Sequence, residues 1–137
     1  MPQPTSAPQR LRLHPEIFGQ AFPESRESRP DWVPNAGFVC VTNTEDEYSI
    51  LCPQGFIPPD VTQVKGLRVL FLQPGGSMIS EVIRNIDEDL RREEIPAIAT
   101  CNPGIDAGFV VVADADLPRV SSLLVESGHK IEELVTP

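Results

Sequence analysis

The sequence predicts an α+β fold whose C-terminal half carries a β-α-β-β-α-β unit, with two helices on one face of a four-stranded sheet. Three observations carry this expectation. From residue 67 to 135, β-prone runs and helical patterns alternate as strand, helix, strand, strand, helix, strand. The runs 67–72 (LRVLFL) and 108–112 (GFVVV) are apolar enough to be covered on both faces. At 137 residues, 40% hydrophobic and 23% charged, the chain has the size of one ordinary domain or of two very small units sharing a core. That balance excludes general disorder, collagen and a disulfide-stapled mini-protein. The element order is that of the ferredoxin-like sandwich.

Residues 1–9 hold three prolines and no apolar cluster, the composition of a disordered tail. Leu11, Leu13, Ile17, Phe18 and Phe22 fall on roughly alternate positions around Pro15 and Gly19, which predicts an interrupted strand pair. Residues 23–37 (PESRESRPDWVPNAG) read as a surface connection anchored by Trp32. The runs 38–42 (FVCVT) and 48–52 (YSILC), separated by a polar five-residue stretch, predict a hairpin that Pro53, Pro58 and Pro59 terminate. Residues 67–72 are the expected central strand. Gly75 and Gly76 break the chain after it, and Ser77 stands at the N-cap of a helix over 77–93 with Ile79, Val82, Ile83, Ile86 and Leu90 on one face. Residues 95–100 (IPAIAT) follow as an edge strand because of Pro96. Residues 108–112 are the next strand. Asp116 is the expected cap of a helix over 117–127, with Pro118 in its first turn and Gly128 as its stop. Residues 130–135 (KIEELV) close the unit as a strand.

Eleven basic and twenty acidic residues give a net charge of −9, which repels nucleic acid and anionic lipid. Neither is an expected partner. Cys40, Cys52 and Cys101 form no Cys-x-x-Cys pair and leave an odd thiol, pointing to a reducing compartment. The N-terminal residues lack the apolar run of a signal peptide, and no segment is long enough to span a bilayer. Together these predict a cytoplasmic protein.

Catalytic and metal chemistry find little to work with. His14 and His129 are the only histidines, and neither belongs to a metal-ligand cluster or a catalytic motif. No enzyme activity, metal or cofactor is expected. Cys52 and Cys101 read as packing thiols, without a neighbouring cation to lower their pKa. The acidic and basic run 87–94 reads as a solvated helix face laced by i, i+4 pairs. Two readings fit Gly75-Gly76-Ser77: a plain turn with its N-cap, or a helix N-terminus whose free N–H groups hold a carboxylate. It is not a phosphate loop, since neither glycine-rich fingerprint is present. Asp46 and Asp106 lie in loops between strands, where each serves either as an ordinary turn residue or as an acceptor for an ammonium group.

The chain also contains a degenerate repeat. Val41-Thr42 through Tyr48-Ser49-Ile50-Leu51 mirrors Ala99-Thr100 through Phe109-Val110-Val111, with Asp46 and Asp106 in corresponding loops. With the glycine turn before the main helix and the stretch Val41-Thr42-Asn43-Thr44-Glu45-Asp46-Glu47-Tyr48-Ser49-Ile50-Leu51-Cys52-Pro53, the chain resembles the small tandem ACT-domain proteins over residues 11–131. That family is related to the ACT modules of aspartate kinases and of cytosolic arginine sensors. The resemblance implies tandem ACT-like units, a degenerate first copy at 10–66 and a second at 67–137. It further implies regulatory binding of a small molecule, usually an amino acid, and a homodimer formed by pairing of edge strands. The implied ligand site joins Gly75, Gly76, Ser77 and Met78 to Thr100, Asn102, Ile105 and Asp106. The glycine turn would take the carboxylate, and Asp106 with Thr100 the amino group of a neutral or basic amino acid. Residues 100–109 depart from the family's compact run by an added Pro103-Gly104, so a ligand-free ACT-like dimerisation or interaction scaffold is the alternative.

Overall fold

A computed structural model describes residues 9–26, 29–72, 79–102 and 107–133. The chain divides into two compact units. The smaller is Glu16–Leu67, and the larger joins the residues up to Pro15 to those from Arg68 onward.

In the larger unit, β1 (Arg10–Leu13), the second half of β5 (Gln63–Leu72), α1 (Ile79–Arg92), β6 (Ala97–Asn102), β7 (Ala107–Ala113), α2 (Leu117–Glu126) and β8 (Lys130–Glu133) follow one another. From β5 onward this is the expected β-α-β-β-α-β order. The sheet, however, has five strands in the order β8-β1-β5-β7-β6, because β1 is inserted between β5 and β8. It lies antiparallel to β5, with Leu11 opposite Leu72, and parallel to β8, with Leu11 opposite Ile131. Two expectations are thereby corrected. Residues 10–13 belong with the C-terminal unit rather than with 16–66, and β1 does not pair with β2 (Phe18–Ala21). The cause is the ten-residue length of β5, which offers one half to each strand while Pro15 breaks the chain between them.

Both helices bury one face against this sheet. Ile79, Val82, Ile83, Ile86 and Leu90 of α1 and Val120 and Leu124 of α2 join Leu11, Leu13, Leu70, Leu72, Val110 and Val112 in a single core. The apolar stripe of α1 is the one its sequence spacing marks, while its expected start at Ser77 lies outside the described residues. Asp116 is not the side-chain cap expected of it. A single 3-10 turn, Asp114–Asp116, runs directly into α2, so the Asp116 backbone is already helical and its carboxylate makes no cap bond.

The two helices end alike. After α1, the Ile95 N–H donates to the Leu90 carbonyl and the Glu94 N–H to that of Arg91; after α2, His129 donates to Leu124 and Gly128 to Val125. This is the Schellman arrangement, in which the exit residue must take a left-handed conformation. Gly128 does so at φ 95°, and Glu94 does so at φ 57° despite its side chain.

The smaller unit is an antiparallel sheet in the order β3 (Cys40–Asn43), β4 (Tyr48–Pro53), β2, and the first half of β5. The β3–β4 hairpin forms as the sequence predicts, with Thr42 opposite Ser49. β5 begins four residues before the expected strand. Its pairing with β2 slips by one residue between Phe18 and Gln20, and the extra residue is accommodated at Gly66, which adopts φ 70°. The Gly66 N–H donates to Gln54 Oε1 at 2.7 Å. Ala21, Val33, Ile50, Cys52 and Ile57 form the core, with Trp32 folded against it as the anchor of its loop. Among the described residues this unit holds no α-helix.

Candidate functional site

β5 ends at Leu72 and α1 begins at Ile79, while β6 ends at Asn102 and β7 begins at Ala107. Gly75, Gly76, Ser77, Met78, Ile105 and Asp106 lie outside the described residues. The frame that carries them is described. Across the hairpin Thr100 pairs with Phe109 and Asn102 with Ala107. Gly108 backs onto α1: a Cβ there would stand 3.0 Å from the Thr100 carbonyl oxygen and 3.2 Å from two carbons of Ile83. Glycine permits this close approach of β7 to Ile83, one helical turn into α1, without displacing either neighbour.

Strand alternation decides where Thr100 points. Ala97, Ala99 and Cys101 pack on the core beneath the helices, whereas Thr100 is exposed, on the other face of β6. On the helix face, Thr100 offers a ligand its backbone and not its hydroxyl.

Asp46 occupies an exposed turn built by its neighbours. Thr44 Oγ1 accepts the N–H groups of Asp46 at 3.2 Å and Glu47 at 3.0 Å. Arg26 clasps the same turn by donating to Asn43 Oδ1 and to the Thr44 and Glu45 carbonyls. The Asp46 carboxylate takes no part in these bonds, so the turn's geometry does not depend on it. Behind it, Gln20 donates to Ser49 Oγ at 3.3 Å and the buried Ser49 hydroxyl donates to Glu47 at 2.6 Å.

The Cys40 and Cys52 thiols are not activated. Burial pushes the pKa of Cys40 and of Cys52 up, with the Thr42 hydroxyl partly opposing it at Cys40. All three cysteines are free. Among the described residues no three His, Cys, Asp or Glu side chains gather where a metal ion fits, and no helix is long and apolar enough to cross a membrane.

A second concavity, missed from sequence, is an open groove of about 570 Å³ between α2 and β8, lined among others by Leu13, Leu117, Ser121, Val125, His129 and Ile131. His129 is buried, and its Nδ1 accepts the Gln9 backbone N–H at 3.0 Å. Burial lowers its pKa below 6.5, with the Asp89 carboxylate pulling the other way. The spacing of Leu117, Ser121 and Val125 at i, i+4 and i+8 was the available signal for this second face of α2.

Comparison with known proteins follows the same outline. A family model described only as an N-terminal domain matches residues 17–60. No curated protein sequence matches the chain. A crystal structure of a protein from Agobacterium tumefaciens superposes with a TM-score of 0.84 at 25% identity, covering 95% of this chain and 96% of that one. The allosteric aspartate kinase of Clostridium acetobutylicum matches with a TM-score of 0.61 at 10% identity, over 93% of this chain and 36% of the kinase. A chain assigned as a C-terminal regulatory domain of aspartate kinase from Porphyromonas gingivalis matches at 0.57 and 13% identity, over 91% of this chain and 98% of that one. The fold is the ferredoxin-type α+β architecture of ACT-like regulatory domains. Its likeness extends over nearly the whole chain, so it includes the smaller unit as well as the larger.

Proposed function

We propose that this protein is a regulatory module of the ACT type that binds a small molecule, with an amino acid as its ligand class. The observation that carries the reading is the close packing of β7 on α1 at Gly108, where an added Cβ would stand 3.2 Å from two carbons of Ile83. On this reading Gly75, Gly76 and Ser77, with Met78, would offer backbone donors to a carboxylate. Asp106 takes the ammonium group, with the backbone of Thr100 and Asn102 and the side chain of Ile105 completing the loop. The charge of −9 and the acidic loop favour a neutral or basic side chain. The protein acts in the cytoplasm, without metal, cofactor, nucleic acid or membrane, and as a homodimer.

Thermal melting with each of the twenty amino acids tests this. A ligand at a hundred times its dissociation constant adds about 2.7 kcal/mol, a rise of several degrees. Asp106→Ala should weaken the responding ligand by about 1.5–3 kcal/mol. If none of the twenty shifts the wild-type melt, the reading fails. The added Pro103-Gly104 in the loop then favours the second reading, an ACT-like scaffold that associates without ligand.

A further inference from the structure

We propose that His129 is a proton-operated latch on the β1–β8 pair: the neutral ring holds the start of β1 in place, and the charged ring lets go of the Gln9 N–H and opens the first rung of the ladder. His129 and Gln9 are 9% and 5% exposed, and His129 Nδ1 accepts the Gln9 N–H at 3.0 Å. A ring nitrogen that accepts carries no hydrogen, so this bond exists only in the neutral tautomer, with its hydrogen on Nε2. The Gln9 carbonyl in turn accepts the Lys130 N–H at 3.0 Å. Gln9 thus meets both residues at the entry to β8, beside a parallel ladder of only four residue pairs, from Arg10 with Lys130 to Leu13 with Glu133.

A proton on Nδ1 turns the acceptor into a donor and sets two N–H groups against each other. One of them has to move. Burial opposes the charged ring, while the Asp89 carboxylate and, after it, the Gln9 backbone favour it. Of the Gln9 backbone only the carbonyl can accept, so the charged ring competes for it with the Lys130 N–H. Asp89, on α1, is held in place by its neighbours: its Oδ2 accepts the Ser127 hydroxyl at 3.3 Å, and its Oδ1 pairs with Arg92 at 3.3 Å. The other groups around the ring add little net charge. Lys130 and Glu133 of β8 line the same groove with opposite signs, α2 brings the uncharged Leu117, Ser121 and Val125, and Arg10 of β1 pairs with Glu132 at 3.3 Å. Each ring state therefore supports its own arrangement of one rung, and pH selects between them.

The latch is independent of amino-acid binding, so amide exchange tests it and the thermal screen does not. In the full chain, exchange read by NMR and corrected for intrinsic rates should show Gln9 and Lys130 losing at least about tenfold protection between about pH 7.5 and about pH 5. Leu70 and Val110, in the core of the same sheet, should keep theirs. His129→Gln, whose amide oxygen accepts without titrating, should protect Gln9 equally at both pH values. Asp89→Asn still accepts the Ser127 hydroxyl, and it should move the opening to lower pH because it removes the group that most favours the charged ring. Gln9 protection that does not change with pH, an equal change in His129→Gln, a core that loses as much as Gln9, or an Asp89→Asn midpoint at or above that of wild type would each overturn the proposal. Should a variant unfold, the wild-type series decides alone, with the ring nitrogen shifts reporting whether His129 takes up its proton over the range in which Gln9 opens.

Discussion

Glu94 is the place where one substitution should make this protein more stable, and the structure supplies its own control. The exit residues of α1 and α2 share one hydrogen-bond pattern, yet one is Gly128 and the other a glutamate held at φ 57°. A side chain in the left-handed region costs about 1–2 kcal/mol through contact of Cβ with the following carbonyl. Glycine removes that cost but gives back roughly 0.5–1 kcal/mol in the freedom of the unfolded chain. The net expectation for Glu94→Gly is a gain of about 0.5–1 kcal/mol, or about 2–4 °C in Tm for a chain of this size. Urea and thermal melts of Glu94→Gly should be compared with Glu94→Ala, which removes the charge and keeps the strain. Gly128→Ala, the reverse exchange, should lose about the same net 0.5–1 kcal/mol. If Glu94→Gly and Glu94→Ala melt together, the strain argument is wrong.

Other perturbations test the remaining structure. Gly108→Ala places a Cβ 3.0 Å from the Thr100 carbonyl, a backbone atom with little room to give, and should cost about 1–3 kcal/mol by urea denaturation. His129 is held neutral by burial, with a folded pKa below the 6.5 of the free side chain. The unfolded state therefore binds the extra proton first, and the stabilising contribution present above pH 6.5 is lost as pH falls toward the folded value. Urea midpoints should drop between about pH 7.5 and 5.5 more steeply for wild type than for His129→Gln, whose amide oxygen still accepts the Gln9 N–H. Equal slopes would remove His129 as the cause. Thr44→Val leaves the Asp46 and Glu47 N–H groups to water and should cost about 0.5–1 kcal/mol, read in the same assay.

The parts of the fold legible in sequence are those that local pattern determines. The stripe of Ile79 to Leu90 marks a helix because one face repeats every 3.6 residues, and the YSILC run marks a strand because β-branched and apolar residues end at a proline. The insertion of β1 was not legible, because RLRL alternates equally well beside any neighbour and its partners lie some 60 and 120 residues away. The left-handed Glu94 escaped for a related reason: only glycine advertises that conformation, and here packing of Ile95 and Leu90 in one core enforces it on a glutamate. Of the candidate site, Gly75-Gly76-Ser77 and Asp106 stand out in the sequence as breaks in periodicity and lie outside the described residues. Thr100, read as the last residue of the strand 95–100 and joined to the site through the family resemblance, lies within β6, where strand alternation turns its side chain to the face away from the helices.

The parallel pairing of β1 with β8 sets an order of events during synthesis. Gln9 and His129 are joined by a hydrogen bond across 120 positions of sequence, so β1 leaves the ribosome long before its outer neighbour exists. At translation rates of about 5–20 residues per second, that interval lasts roughly 6–24 seconds, far longer than hairpin or helix formation requires. During it the edge of β1 that later meets β8 stays without that partner, even after β5 and α1 have been made. A chaperone that recognises short apolar β segments would find its target there, and release would be timed by the arrival of Lys130–Glu133 rather than by any earlier element.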